Sequence, residues 1–363
     1  NFRIFALASA LVLGLNACSV NESGLETPVV ENNVPQMSED VVSGELLVRF
    51  DARVSSILEN AGVTKSGIGA PATRSGVMSV DEILQTVEGY QIERVFPIDP
   101  RSEEKAREAG LHLWYVVRFS EDVPVDKVAA DLSKLGEVSR VSFNRSLKRA
   151  AREKAMPLTN EMIKMLASGS AEQDPLYKFQ WNLNNDGSLQ ELLPDATTTK
   201  FAAGADISAE PAWAKCTGRP EIIVAVLDEG VDVSHPDLKA SMWVNESEVY
   251  GSREDADGNG YAGDRHGYNF VKQTGMITVN SRYDTGHGSH VAGAVAARNN
   301  NGLGIKSIAG GDGSADSGVR IMSCQIFAGE YVGTLLDEVR AIKYAADNGA
   351  VILQCSWGYT SGA

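Results

Sequence analysis

Apolar residues fall in two different rhythms along the chain. Between residues 44 and 148 they come in short runs divided by polar stretches. Glu45–Phe50, Tyr90–Ile98, Leu111–Phe119 and Val138–Phe143 read as strands. Val54–Ala61 and Asp81–Val87 read as short helical segments. Val125–Leu135 reads as an amphipathic helix with Val128, Leu132 and Leu135 on one face. Residues 64–80, rich in Gly, Ser and Pro, read as an exposed loop. From residue 221 onward the apolar runs are continuous instead of alternating. Glu221–Asp232, Val319–Phe327 and Val351–Cys355 read as strands buried on both faces of a parallel sheet. Leu335–Asn348, closed by Gly349, reads as a helix. A further helix is expected to begin near Gly288, with Val291, Ala294, Val295 and Arg298 at helical spacing.

The first half thus has the order β-α-β-β-α-β, a ferredoxin-like α+β arrangement, which by itself carries no function. The second half is α/β, with strand-helix-strand units that imply right-handed crossovers on a parallel sheet. Ligands of such sheets bind at the carboxyl ends of the strands, and Asp228 falls at one such end. His287 stands at or just before the first turn of its helix, where partial positive charge suits a ring that is to accept a proton. Gly293, Ala294 and Ala297 let that helix lie close to a sheet. His287 and His290 at i, i+3 also permit a metal pair, but no third ligand follows at helical spacing. A buried, hydrogen-bonded core histidine is the better reading of His290.

The two ends of the pattern add an address. Residues 1–18 hold a short apolar core ending in Leu15-Asn-Ala-Cys18, a secretory signal that resembles a bacterial lipobox. That resemblance implies an exported, membrane-anchored lipoprotein with diacylglycerol on Cys18. A Cys18→Ser precursor is then expected to stay unprocessed and to incorporate no labelled fatty acid. Residues 19–43 are polar and acidic and read as a flexible tether. The formal charge of −15 argues against nucleic acid as a partner. Four scattered cysteines do not make a disulfide framework. Cys324 and Cys355 lie on strands that could be neighbours, with free thiols the better reading, and Cys216 reads as solitary. Residues 144–173 are charged and mixed, and 150–173 read as a processing linker. Leu147–Lys154, basic within an acidic chain, reads as a solvated helix face or a processing linker.

Three motifs resemble the subtilisin family of serine proteases (subtilases). They are Asp228-Glu-Gly-Val-Asp with His235-Pro-Asp-Leu238, then His287-Gly-Ser-His-Val-Ala-Gly293, then Ser356-Trp-Gly358, in family order. The resemblance covers roughly the second half. It implies a subtilisin-like three-layer fold over 174–363, peptide substrates, His287 as general base and Asp228 orienting it. Ser356, Trp357 and Gly358 would lend backbone to an extended substrate strand. Residues 44–149 would be the propeptide that chaperones folding and plugs the site. Asp174–Leu183 resembles the start of many mature domains, and Gly204–Trp213 the helix before the Asp-bearing strand. No Gly-Thr-Ser-Met-Ala segment is present, so the sequence looks like the front part of a protease, cut off before its nucleophile. A non-catalytic binding module and a calcium-stabilised surface scaffold stay open beside the enzyme. Glu229 resembles the acid of the kexin and furin branch. It would lie beside the substrate residue preceding the scissile one and favour Lys or Arg there, with self-cleavage expected after Arg149.

One motif points to a cation. In Asp255-Ala-Asp-Gly-Asn-Gly-Tyr-Ala-Gly-Asp264, oxygen donors alternate around a glycine at the sixth place, as in the first half of an EF-hand loop. Asp255, Asp257, Asn259, Tyr261 and Asp264 are therefore candidate calcium ligands. The twelfth position is His266, not Glu, so the loop is not a full EF-hand. The family resemblance further implies that Asp237 and Asn300 help to hold a second calcium.

Overall fold

The chain is described here by a computed structural model covering residues 37–61, 72–87, 89–150, 174–189, 201–279 and 283–359. The first unit comprises β1 (Val41–Phe50), α1 (Ser55–Asn60), α2 (Met78–Leu84), β2 (Gln91–Arg94), α3 (Glu103–Glu108), β3 (Trp114–Arg118), α4 (Val125–Leu132) and β4 (Val138–Arg145). Its sheet has the order β2-β3-β1-β4, with every neighbouring pair antiparallel. That is the split β-α-β order expected from the sequence. The boundaries differ in places: the second helix is Met78–Leu84 and not Asp81–Val87, β2 stops at Arg94, and β3 starts at Trp114. β1 begins at Val41, so Val41 to Ser43 belong to the strand and not to the tether. The helix α3 was not foreseen, because only Ala106 among its six residues is buried and no apolar stripe marks it.

The pleat of β1 explains why it is apolar on both faces. Leu46, Val48 and Phe50 point to a core shared with Val128, Ala129 and Leu132 of α4. Leu47 points the other way, with Trp114 and Val116 of β3, onto Leu336 and Val339 of the second unit. The first unit therefore owns one hydrophobic core and shares a second.

After β5 (Leu147–Arg149), the second unit comprises α5 (Ala209–Trp213), β6 (Ile223–Glu229), β7 (Gly267–Asn269), α6 (His287–Ala296), β8 (Arg320–Ala328), β9 (Tyr331–Val332), α7 (Leu335–Asp347), β10 (Ala350–Cys355) and β11 (Trp357–Tyr359). β10, β6, β8 and β7 form a parallel sheet in that order, and β9 adds antiparallel to β8. Val224 and Val226 of β6 pack on Ala292 and Ala296 of α6. Ala225 and Leu227 pack on Ala341, Tyr344 and Ala345 of α7 on the opposite face. The result is three layers with helices on both sides, the α/β subtilisin-like arrangement. Thr334 and Asp337 close a capping box at the start of α7.

Several expectations are corrected. Leu147–Arg149 is a strand, not a helix face. His290 is exposed, because α6 buries Gly288, Ala292, Gly293 and Ala296 and turns His290 outward. Cys324 and Cys355 are not on neighbouring strands: β6 runs between them and both register opposite Leu227. Cys216, Cys324 and Cys355 are free thiols.

Candidate active site

β6 delivers Asp228 to the carboxyl edge of the parallel sheet, buried to 2% exposure. His287 is the first residue of α6, after Gly286 at φ +83°. The two side chains meet: His287 Nδ1 lies 2.8 Å from Asp228 Oδ1 and 2.9 Å from Oδ2. An ionised carboxylate only accepts, so Nδ1 carries the proton and Nε2 is the ring's accepting nitrogen. Burial pushes the Asp228 carboxyl above its ordinary value, against the hydrogen bond from His287. The close approach of α6 to β6 depends on Gly288, where a Cβ would stand 2.2 Å from the Glu229 carbonyl oxygen.

Glu229 also takes on a role that its sequence motif does not reveal. Its Oε2 accepts from Thr285 N (2.9 Å), Thr285 Oγ1 (3.0 Å), Gly286 N (3.1 Å) and His287 N (3.3 Å), holding the amides where α6 begins. Its Oε1 has no hydrogen-bond partner and lies 3.3 Å from Arg149 Nε. That contact is charge pairing without hydrogen-bond alignment, since Arg149 Nε is unpartnered as well.

The tail of the first unit runs past this pair. β5 pairs antiparallel with β11, Leu147 opposite Tyr359, Lys148 opposite Gly358 and Arg149 opposite Trp357. Ala150 N donates to Ser356 O at 3.1 Å. On the other edge Leu147 N donates to Gly333 O at 2.8 Å. Ser356, Trp357 and Gly358 thus do lend backbone to an extended strand, and that strand belongs to the chain itself.

Residues 219–363 match the Subtilase family. This carboxyl-terminal stretch is thus similar to subtilases. Among relatives, Subtilisin-like protease 1 of Plasmodium vivax is 33% identical over 137 residues, 38% of this chain and 20% of that protein. The thermophilic serine proteinase of Bacillus sp. (strain AK1) is 28% identical over 253 residues, 67% of this chain and 51% of that protein. The chain therefore spans a fifth to a half of the length of these relatives. The solved structure of the epidermin leader peptide processing serine protease of Staphylococcus aureus covers 89% of this chain and 50% of its own, at 15% identity and a TM-score of 0.40.

The acidic loop of the subtilase unit is arranged differently from its sequence reading. Carboxylate oxygens of Glu248, Asp255 and Asp257 lie within 4.8 Å of one another. Glu248 was not foreseen, because it stands outside the alternating motif. Asp264 is held apart, accepting from Asn245 Nδ2 (3.0 Å), Asn259 Nδ2 (3.0 Å) and Tyr344 OH (2.8 Å). Burial raises its carboxyl to about 6. The Tyr261 ring packs among Tyr268, Phe270 and Tyr344 and its hydroxyl is unpartnered, so only its backbone remains as a donor toward a cation. The donor set that fits a hard cation is therefore Glu248, Asp255 and Asp257. At the second expected site Asp237 accepts from Asn301 Nδ2 at 2.8 Å, whereas the Asn300 amide turns to Asp312 O at 3.1 Å. Asn301, not Asn300, is the neighbour of Asp237. Cys18 lies outside the described residues.

Proposed function

We propose that this chain is part of a subtilisin-like serine endopeptidase in its precursor form, with the first unit folded onto the cleft as an inhibitor. The observation that carries the reading is the Asp228–His287 hydrogen bond beside an extended tail paired to Ser356-Trp-Gly358. A serine from outside the motifs of this chain would attack a peptide carbonyl. His287 Nε2 would take the hydroxyl proton and pass it to the leaving amine as the C–N bond breaks. Water would then hydrolyse the ester by the same route in reverse. Asp228 would hold the ring in its Nε2-accepting tautomer and stabilise the imidazolium. Glu229 would keep α6, and hence His287, in place. The complete protein should hydrolyse casein, and His287→Ala should abolish that hydrolysis; hydrolysis that survives it would refute the assignment.

We further propose that Glu248, Asp255 and Asp257 hold a structural calcium ion. Bound only to the native state, calcium at a hundredfold excess over Kd stabilises by ~2.7 kcal/mol, so the melting temperature should rise with calcium concentration. In Glu248→Gln with Asp255→Asn that rise should vanish. A calcium-dependent rise unchanged in the double variant would show that the cluster is only a turn held by its amides.

A further inference from the structure

Gln325 is fully buried on β8 and stands opposite Asp228 in the register of β6 with β8. A buried amide persists only when its hydrogen bonds are met. Here both ends are met, chiefly by one residue. Oε1 accepts from Thr278 N at 3.0 Å. Nε2 donates to Thr278 O at 2.9 Å and to Phe327 O at 3.0 Å, with Thr278 Oγ1 beside them at 3.1 Å. The side chain thus pairs with Thr278 much as a second backbone would. It also spans an irregularity. Beyond Asp228 the register of β6 with β8 shifts by one residue, so that Glu229 lies opposite Phe327. Such shifts re-aim a strand where it meets a site, and the Gln325 amide crosses this one.

The segment that Gln325 holds lies beneath the Asp228–His287 pair. A Cβ at Gly230 would stand 2.4 Å from Thr278 O and 2.8 Å from Ile277 Cγ2. The carbonyls of the same turn carry Gly288, where a Cβ would stand 2.2 Å from Glu229 O and 3.1 Å from Gly230 O. Three stretches of backbone are therefore stacked with no side chain at these contacts: 277–278, 229–230 and the first turn of α6. Asp228 directly precedes the middle stretch, and His287 opens the third. Packed backbones have no rotamer with which to absorb a displacement, so a shift at Thr278 passes to both partners of the pair.

We infer that Gln325 is a positioning residue for this pair: its amide fixes Thr278 under Gly230 and so sets the approach of His287 Nδ1 to Asp228. Its hydrogen bonds go to Thr278 and Phe327, not to the pair, so it acts through the backbone. The kinetic consequence rests on the proposed endopeptidase activity, whereas the geometric one rests on the fold of this chain alone.

The geometric consequence is read by proton NMR of the full chain. The Nδ1 proton of His287, in a charge-assisted hydrogen bond of 2.8 Å, should resonate far downfield. Gln325→Met keeps the length of the side chain and removes the amide. It should move that resonance upfield or lose it to exchange with water. Gly230→Ala presses on the same contact from the other side and should do the same; it carries the test if Gln325→Met does not fold. Tyr344→Phe removes a buried hydrogen bond to Asp264 on α7 and should leave the resonance in place, which separates lost position from general loosening. In the complete protein Gln325→Met should lower kcat by about ten- to a hundredfold, as expected of a displaced catalytic group, with KM within about twofold. Gly230→Ala should show the same split, and the double variant should be little worse than the more impaired single, because both strain one contact. A resonance unmoved in both variants overturns the inference. So does a raised KM with unchanged kcat, which would place the role of Gln325 at Phe327 and the substrate strand. A wild-type chain with no downfield resonance contradicts the Asp228–His287 bond, and this inference with it. A resonance that shifts as stated, beside a complete wild type that cleaves no peptide, overturns the proposed function and leaves the positioning role standing.

Discussion

Arg340→Met is expected to loosen the first unit from the subtilase unit by about 3–5 kcal/mol, the usual cost of breaking a buried ion pair from one side. Arg340, on α7, is 2% exposed yet carries a full charge. Its Nε donates to Val95 O at 2.7 Å, and its Nη2 to Glu93 Oε1 at 3.1 Å and Arg94 O at 3.2 Å. Glu93 in turn accepts from Arg118 Nη1 at 2.8 Å, and Arg118 pairs with Glu45 at 2.6 Å. Around this network lie Leu47, Trp114, Val116, Leu336 and Val339. Methionine keeps the apolar stem and removes the fork, leaving two carbonyls and a carboxylate short of donors. In the processed complex, dissociation of the two pieces should rise at least a hundredfold. An unchanged dissociation constant would mean that the network is neutral and the apolar contact alone holds the units.

The same network sets a pH dependence. Burial opposes ionisation of Glu93, but Arg340 and Arg118 more than offset it and hold the carboxyl below its ordinary value of 4.5. A depressed folded value means that the contribution is complete above the unfolded value. It is lost as pH falls through the folded one. Acidification below about 4.5 is therefore expected to weaken this contact, and Arg340→Met should flatten the response there.

Much of this was legible in the sequence, for identifiable reasons. Asp228 ends a continuous apolar strand and His287 opens a small-residue helix, so each sits where two strong patterns meet. The element order β-α-β-β-α-β of the first unit followed from its short apolar runs. What was illegible depends on partners remote in the chain. Leu147–Arg149 is too short and too basic to read as a strand, and becomes one only because β11 and Gly333 flank it. Arg340 would be read as solvent-facing, since nothing in α7 reveals Glu93. The face of α6 was misjudged because its closest contact is made by a glycine: Gly288 lies against Glu229, while the valines sit half-buried to the side. Glu248 joined the acidic cluster through folding of the loop, and Asn301 meets Asp237 while Asn300, at φ 60°, turns to Asp312.

Asp228→Asn and His287→Ala carry the largest expected effects. Asparagine fits the cavity, but its amide can donate to Nδ1 and so stabilise the tautomer that has its proton on Nε2. That ring cannot accept the serine proton. His287→Ala removes the base outright. In subtilisin itself, loss of the histidine costs ~2 × 10⁶ in kcat and loss of the aspartate ~3 × 10⁴. We carry those magnitudes over from that protein. Because the residues act as a unit, the double variant should be little worse than His287→Ala alone. The decisive measurement is kcat for one peptide substrate in the complete wild-type protein, each single variant and the double. The account predicts drops on the order of 10⁴-fold for Asp228→Asn and 10⁶-fold for His287→Ala, without addition in the double. A His287→Ala enzyme within tenfold of wild type, or single losses that multiply in the double, would contradict it.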